Sequence, residues 1–567
     1  MLGTSLAQKP GTKATASPAA YQRGLRAWES GDLNAARSAF EAAVKEDPRN
    51  ADAQNALGQV LLQQSQLESA IPHLRMVTRL KPDLAIAHLY LGEALAQRAV
   101  WEEAIAELRT AVRLAPYQPQ THEALARALS GDQKSDEALV EMRKAADLAP
   151  HQPELHDQLG SLLAQTKDYS SAETEFLTAL ELNPQYEPSL LHLGVVLLDD
   201  GHHEEGKQTL ERAVEIKRDD GLANYYLGGI RESEQDISGA LDLYKRAAKM
   251  IPDFLPLRTR LGLLAQKVGD MPTAIASFRA VVAAQPNDPS AHNNLGLALM
   301  QSVQAEDAIG EFETAIRLAP SDSSYRNNLG AAYLQKTDFE AAVQQYKNGL
   351  ALAPNNAELH YNLGLAYKLK DDIPAAIDEL HETIALDPNL PDPHYTLGVT
   401  LWQSGKFDDA AKELNAVVQL KPDYAEAYYT LGTVYKQQGE LVKAADALQK
   451  AIQLQPDFAG AHTTLAAVLR QEGDSAGAAI QSKLGAQITQ QKMTLQTAAF
   501  ATNSGIKFMS AGDLNGAIAQ FEQAIKADAS YGPAHRQLAI ALERQGEKDR
   551  AKRELEIAKQ LQSPHAP

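Results

Sequence analysis

Residues 289–322 read PSAHNNLGLALMQSVQAEDAIGEFETAIRLAPSD, and the next stretch, residues 323–356, reads SSYRNNLGAAYLQKTDFEAAVQQYKNGLALAPNN. The two stretches share a pattern at a spacing of 34 residues. In the first, Leu295, Leu297 and Leu299 are followed by Ala308, Phe312 and Ala315, apolar spacing that predicts two helices in each unit. Pro320 and Pro354 close the units at the same point. Proline has no amide hydrogen to give a helix interior, so it ends the second helix. Pro119, Pro153, Pro289 and Pro391 stand where a first helix begins, where a missing amide hydrogen costs nothing.

Outward from this pair the frame holds for most of the chain. Prolines 48, 82, 116, 150, 184, 252, 286, 320, 354, 388, 422 and 456 all lie on one 34-residue lattice, and Arg218 alone breaks it. Such a period marks a repeat architecture. Units are counted from residue 17, which puts the lattice proline at position 32. Position 8 is glycine in nearly every unit, with Ala126 the exception in the regular series. Position 20 is alanine apart from Gly206, and position 24 is bulky, as in Phe40, Phe176, Tyr244, Phe312 and Tyr346. Small residues at 8 and 20 let two helices approach, and the bulky residue fills the space beside them. Glycine or aspartate near positions 15 and 16, as in Gly31-Asp32 and Gly512-Asp513, ends the first helix and caps the second.

The frame divides the chain. Residues 1–16 read as a disordered tail, 17–492 as fourteen tandem units, 493–497 as an insertion, and 498–567 as two further units. Unit fourteen is degraded, with Gln490 in place of proline, so a lengthened helix through Ser482 to Gln496 and a seam are expected there. The last helix is dense in charge from Glu547 to Glu556, which suits a polar end cap on an array that otherwise exposes its core.

Composition narrows the function classes. The chain has 567 residues, 44% apolar and 22% charged, with 54 basic against 73 acidic residues and a net charge of −19. That balance disfavours binding to a nucleic-acid backbone, which rests on lysine and arginine, and to anionic membrane surfaces. With no cysteine there is no disulfide, thiolate metal site or cysteine nucleophile. No apolar run approaches the ~20 residues of a membrane helix. The chain reads as cytoplasmic as written. Ser5-Leu6-Ala7 resembles the end of an export-signal cleavage site, so a periplasmic or secreted location with a truncated leader stays open.

Chemistry is sparse. Histidine recurs at position 4 (His88, His122, His156, His292, His360, His394, His462 and His535). Residues one unit apart are separated by about 8–10 Å of helix packing, too far to share a metal whose ligands lie ~2 Å away. Half-buried packing is the expectation. His202-His203-Glu204-Glu205 reads as a solvated loop. Ser404-Gly405-Lys406 lacks the rest of a phosphate loop, and Asp199-Asp200 and Asp371-Asp372 read as helix caps. No catalytic set, cofactor or metal site emerges.

The small-8, small-20, bulky-24, proline-32 pattern resembles the tetratricopeptide repeat family over residues 17–565. The resemblance implies an all-α, right-handed superhelical solenoid of sixteen helix-turn-helix units, with first helices lining a concave groove. It also implies that positions 2, 5, 6, 9, 12 and 13 face that groove. There stand Asn293 and Asn294, Asn327 and Asn328, Tyr361 and Asn362, then Tyr395 and Tyr429, with Lys368, Trp402, Lys436 and Arg470 at position 12. Asparagine can bond both peptide groups of an extended ligand, tyrosine and tryptophan are strong binding anchors, and lysines suit acidic partners. The expected function is a non-catalytic scaffold binding extended peptides or partner proteins, without nucleic acid or membrane insertion.

The asparagines at position 6 resemble the repeat arm of O-linked N-acetylglucosamine transferases, although Thr396, Thr430 and Thr464 replace them further on and no catalytic domain follows. The alternative is therefore a substrate-recognition arm for a separately encoded enzyme such as a protein glycosyltransferase. The carboxylate clamp of chaperone-binding repeats is absent: beside Asn294 stand Thr259 and Leu263, followed by Ser324 and Asn328.

Overall fold

A computed structural model describes residues 19–561. The expected tail and Ser5-Leu6-Ala7 lie outside the described residues. Those described form thirty-one α-helices in chain order and no strand. The chain is an all-α helical repeat solenoid. It divides into two compact units, Met1–Val281 and Val282–Pro567, the division falling in the last turn of α16 (Met271–Ala284).

The pair α17 (Pro289–Gln301) and α18 (Ala305–Leu318) shows how sequence builds each repeat. Leu295, Gly296 and Leu299 of α17 and Ala308, Phe312 and Ala315 of α18 are buried together. A Cβ added at Gly296 would lie 2.6 Å from Phe312 Cε1, so the ring occupies the space the glycine leaves. Between the helices, position 15 has positive φ in every repeat. Eight repeats use glycine there and eight use other residues, including Val303 at +60° and Thr337 at +62°. This single left-handed residue turns the chain, and glycine adopts it without the steric penalty other residues carry. Where position 16 is aspartate it then caps the second helix: Asp338 accepts from the Ala341 amide and Asp513 from the Gly516 amide.

The position-4 histidines do more than fill space. His292 Nδ1 lies 2.6 Å from Glu311 Oε2 on the second helix, and its Nε2 lies 3.0 Å from the Pro286 carbonyl in the preceding loop. The same pair of contacts recurs at His88, His122, His156, His360 and His394. At His462 the acidic partner becomes Gln481, and at His535 the carbonyl is that of Ala529. Where Arg218 replaces the lattice proline, Asn224 Nδ2 donates to the Arg218 carbonyl instead. The histidines lock first helix, second helix and loop together, whereas Asn224 reaches only the loop. No group of three or more ligating side chains able to hold a metal occurs among the described residues.

The insertion is absorbed by one helix, α28 (Ser475–Ser510), of 36 residues. It fuses the second helix of repeat fourteen with the first helix of repeat fifteen and runs beyond the expected span at both ends. Its two halves pack on different neighbours, α27 (Ala459–Glu472) and α29 (Leu514–Ala527). Along α28 polar and apolar side chains alike stay exposed. Ser482 is exposed where Leu380, Leu414 and Leu448 are buried at the same position, and Lys507 is exposed where Val434 is buried. Among the apolar ones, Ile480 is 59%, Met493 58% and Phe500 78% exposed. Among the described residues no helix is long and apolar enough to cross a membrane.

Candidate functional site

All the candidate groove residues fall in the second unit, on first helices. These are α17, α19 (Ser323–Gln335), α21 (Ala357–Leu369), α23 (Pro391–Gln403), α25 (Ala425–Gln438) and α27. On α21 the buried residues Leu359, Leu363, Gly364 and Ala366 meet the flanking second helices. Tyr361, Leu365 and Lys368, spaced four and three residues apart, share another face and stay half-exposed. Tyr395 and Trp402 on α23, and Tyr429 and Lys436 on α25, are half-exposed at the matching positions, whereas Arg470 on α27 is exposed.

The structure commits several of these groups to one another. Asn328 Nδ2 donates to Asn293 Oδ1 at 2.8 Å, and Asn362 Nδ2 donates to Asn327 Oδ1 at 2.8 Å. The Tyr361 and Thr396 hydroxyls meet at 3.2 Å in the same offset. Position 5 of one repeat is thus stitched to position 6 of the next. Asn327 also donates to Glu358 Oε1 at 2.8 Å, so both ends of its amide are engaged. Asn294, at position 6 of the first of these repeats, is half-exposed.

The tyrosine column is backed by residues the sequence reading passed over. Tyr395 stacks on Tyr424 with ring centroids 5.1 Å apart, and Tyr429 on Phe458 at 4.8 Å. Lys421 Nζ sits 4.7 Å from the Tyr424 ring centroid, on the same stack. Tyr424 and Phe458 both stand two residues after a lattice proline, in KPDY and QPDF. Reading position 34 on the lattice would have found them. They pack against Tyr395 and Tyr429 while leaving both half-exposed.

On α21 and α25 cations and carboxylates occupy opposite ends. Glu358, Asp392 and Glu426 stand in the first turns of α21, α23 and α25. Position 12, which holds Lys368, Lys436 and Arg470, comes ten residues after these carboxylates in the repeat, about 15 Å away along the helix axis. Burial alone pushes the Lys368 ammonium below the usual lysine range. Among the described residues Lys368, Lys436 and Arg470 form no ion pair, whereas Lys336 and Lys370 in neighbouring loops pair with Glu306 and Glu340.

On the matching face of the first unit several charged groups pair with one another, while the buried Asn55 Oδ1 and Gln158 Oε1 have no partner among the described residues. Arg127 bridges Glu93 at 3.1 Å and Glu123 at 3.9 Å, and burial pushes the Glu93 carboxyl up despite that partner. The Ser189 hydroxyl donates to buried Asp157 at 2.8 Å, and His192 Nδ1 lies 2.9 Å from the same oxygen. His202 meets Glu205 at 3.0 Å beside the first turn of α12 (His203–Ile216).

Known proteins share this repeat pattern. A tetratricopeptide repeat profile matches residues 21–85, 77–119, 191–253, 259–323 and 395–457. Further repeat profiles match 332–371, 508–565 and 153–186. Among solved structures, MamA is 30% identical, covering 29% of this chain and 96% of its own, with a TM-score of 0.29. YrrB, described as a protein with an unusual peptide-binding site, is 25% identical over 32% of this chain and 95% of its own, with a TM-score of 0.29. A Cut9–Hcn1 hetero-tetramer chain is 14% identical, covering 93% of this chain and 97% of its own, at 0.35. The profile matches span more than half of the residues, and the chain belongs to the tetratricopeptide repeat family.

Proposed function

We propose that the protein is a non-catalytic protein-interaction scaffold whose second unit binds extended peptide, or an extended segment of a partner protein, across the first helices α17 to α27. One observation carries this reading. Successive first helices present half-exposed Tyr361, Tyr395, Trp402 and Tyr429 on a face their own second helices leave uncovered. Rigid aromatic area of this kind gives contact at low entropic cost. Tyr395 and Tyr429 are backed by Tyr424 and Phe458, so little ordering of these two rings remains to be done when a ligand arrives.

The test is a paired capture from host lysate and envelope fractions. One bait is the full chain. The other carries Tyr361→Ala, Tyr395→Ala and Tyr429→Ala, with helical content and melting checked. Partners retained by the first bait and lost from the second support the reading, and their fraction of origin gives the compartment. Identical partners on both baits refute it and direct the search to the first unit.

A further inference from the structure

Position 12 of four consecutive first helices forms a row: Lys368, Trp402, Lys436 and Arg470. In a chain of net charge −19, none of its three cations has a carboxylate partner among the described residues. Lys368 is also half-buried, a costly place for an unpaired ammonium. On the first three of these helices the carboxylates, Glu358, Asp392 and Glu426, stand ten residues before position 12, about 15 Å along the axis, whereas α27 carries Glu472 two residues after Arg470.

We infer that this row reads acidic side chains of an extended peptide, with an apolar or aromatic side chain placed against Trp402. The inference rests on the peptide-binding reading above and adds the ligand's chemistry and register. Neighbouring helices pack about 8–10 Å apart, and an extended chain advances ~3.3 Å per residue. One repeat therefore corresponds to about three ligand residues. The pattern that fits is acid, two spacers, aromatic, two spacers, acid, two spacers, acid, in one chain direction or the other. The acidic rim at the opposite helix ends repels the same carboxylates and so holds the ligand to one edge. An anionic nucleic-acid strand is disfavoured, because it would lie against that rim and against the net negative charge of the protein.

The probe is a fluorescein-labelled peptide with glutamates at its first, seventh and tenth positions and phenylalanine at the fourth, with serine and glycine between, alongside its reversed sequence. Anisotropy titrations use the full chain at low and physiological salt. One of the two peptides is expected to bind, to lose about tenfold or more in affinity when its glutamates become glutamines, and to weaken with salt. Lys368→Gln, Lys436→Gln and Arg470→Gln combined should erase the preference for the glutamate peptide over the glutamine peptide. These three cations form no ion pair among the described residues, so folding is kept, and helical content checks it. Equal affinity for glutamate and glutamine peptides overturns the inference. So does no binding by either direction, or tighter binding of a thymidine oligonucleotide. The tyrosine-to-alanine triple variant separates the two readings. If it loses both peptide classes while charge has no effect, the groove stands and the acidic code falls. If it keeps glutamate binding that the glutamine variant loses, the cationic row stands and the tyrosine anchor falls.

Discussion

Val303 offers a direct measure of how much strain the repeat tolerates. It occupies the turn between α17 and α18 at φ +60°, where β-branched residues are rare. Its side chain is 77% exposed, so little packing is lost with it. The left-handed conformation costs an L-residue roughly 1–2 kcal/mol. Glycine removes that cost but carries about 0.5–1 kcal/mol of extra backbone entropy in the unfolded chain. Val303→Gly should therefore stabilise the pair by about 0.5–1 kcal/mol. Solenoid stability is local plus nearest-neighbour, and a whole-chain melt would blur the effect. The suitable assay is native-state hydrogen exchange on α17 and α18, where amides should exchange about two to five times more slowly, at 1.4 kcal/mol per tenfold. Gly405, at φ +76° with no atom within 4 Å of the place a Cβ would take, is the reciprocal site. Gly405→Val should speed exchange in α23 and α24 (Phe407–Leu420). Faster exchange in Val303→Gly, or no effect of Gly405→Val, would refute the argument that backbone strain alone sets residue choice at this turn.

Other outcomes follow from the same packing. Gly364→Leu should cost about 1–3 kcal/mol by overpacking, and Gly296→Leu more, since an added Cβ at Gly364 lies 3.1 Å from Leu380 Cγ against 2.6 Å from Phe312 at Gly296. Chemical denaturation followed by exchange mapping checks the order and should place each loss at its own repeat. His394→Ala removes partners from Glu413 and the Pro388 carbonyl and should cost about 1–3 kcal/mol, read as faster exchange in α23 and α24. Lys368→Met should match or exceed wild-type stability, because it replaces an ammonium that burial disfavours. With the folded lysine held below its unfolded range, wild-type stability should gain on Lys368→Met as pH rises into the alkaline range, which urea midpoints for both proteins at two pH values would show.

The period, the helix pairs and the family were legible because they rest on local rules. Proline cannot continue a helix, glycine and alanine permit close approach, and both effects recur every 34 residues. Aspartate at position 16 was likewise readable as a cap. The left-handed turn was only half-legible, since Val303, Thr337 and Asp371 adopt it without glycine. There the docking of two flanking helices outweighs the preference of one residue.

Spacing along one chain was enough to set the all-α repeat, its register and the row of residues on the first helices. How those side chains are used was settled by packing between helices. Packing joined Asn327 to Asn362 and Asn293 to Asn328 across repeats, set Tyr395 on Tyr424, and paired His292 with Glu311 of the second helix. It also merged the seam into α28, with Ser482 and Lys507 exposed on it. Hydrogen bonds and ring stacking depend on distances between separate helices, which packing fixes and spacing along the chain does not.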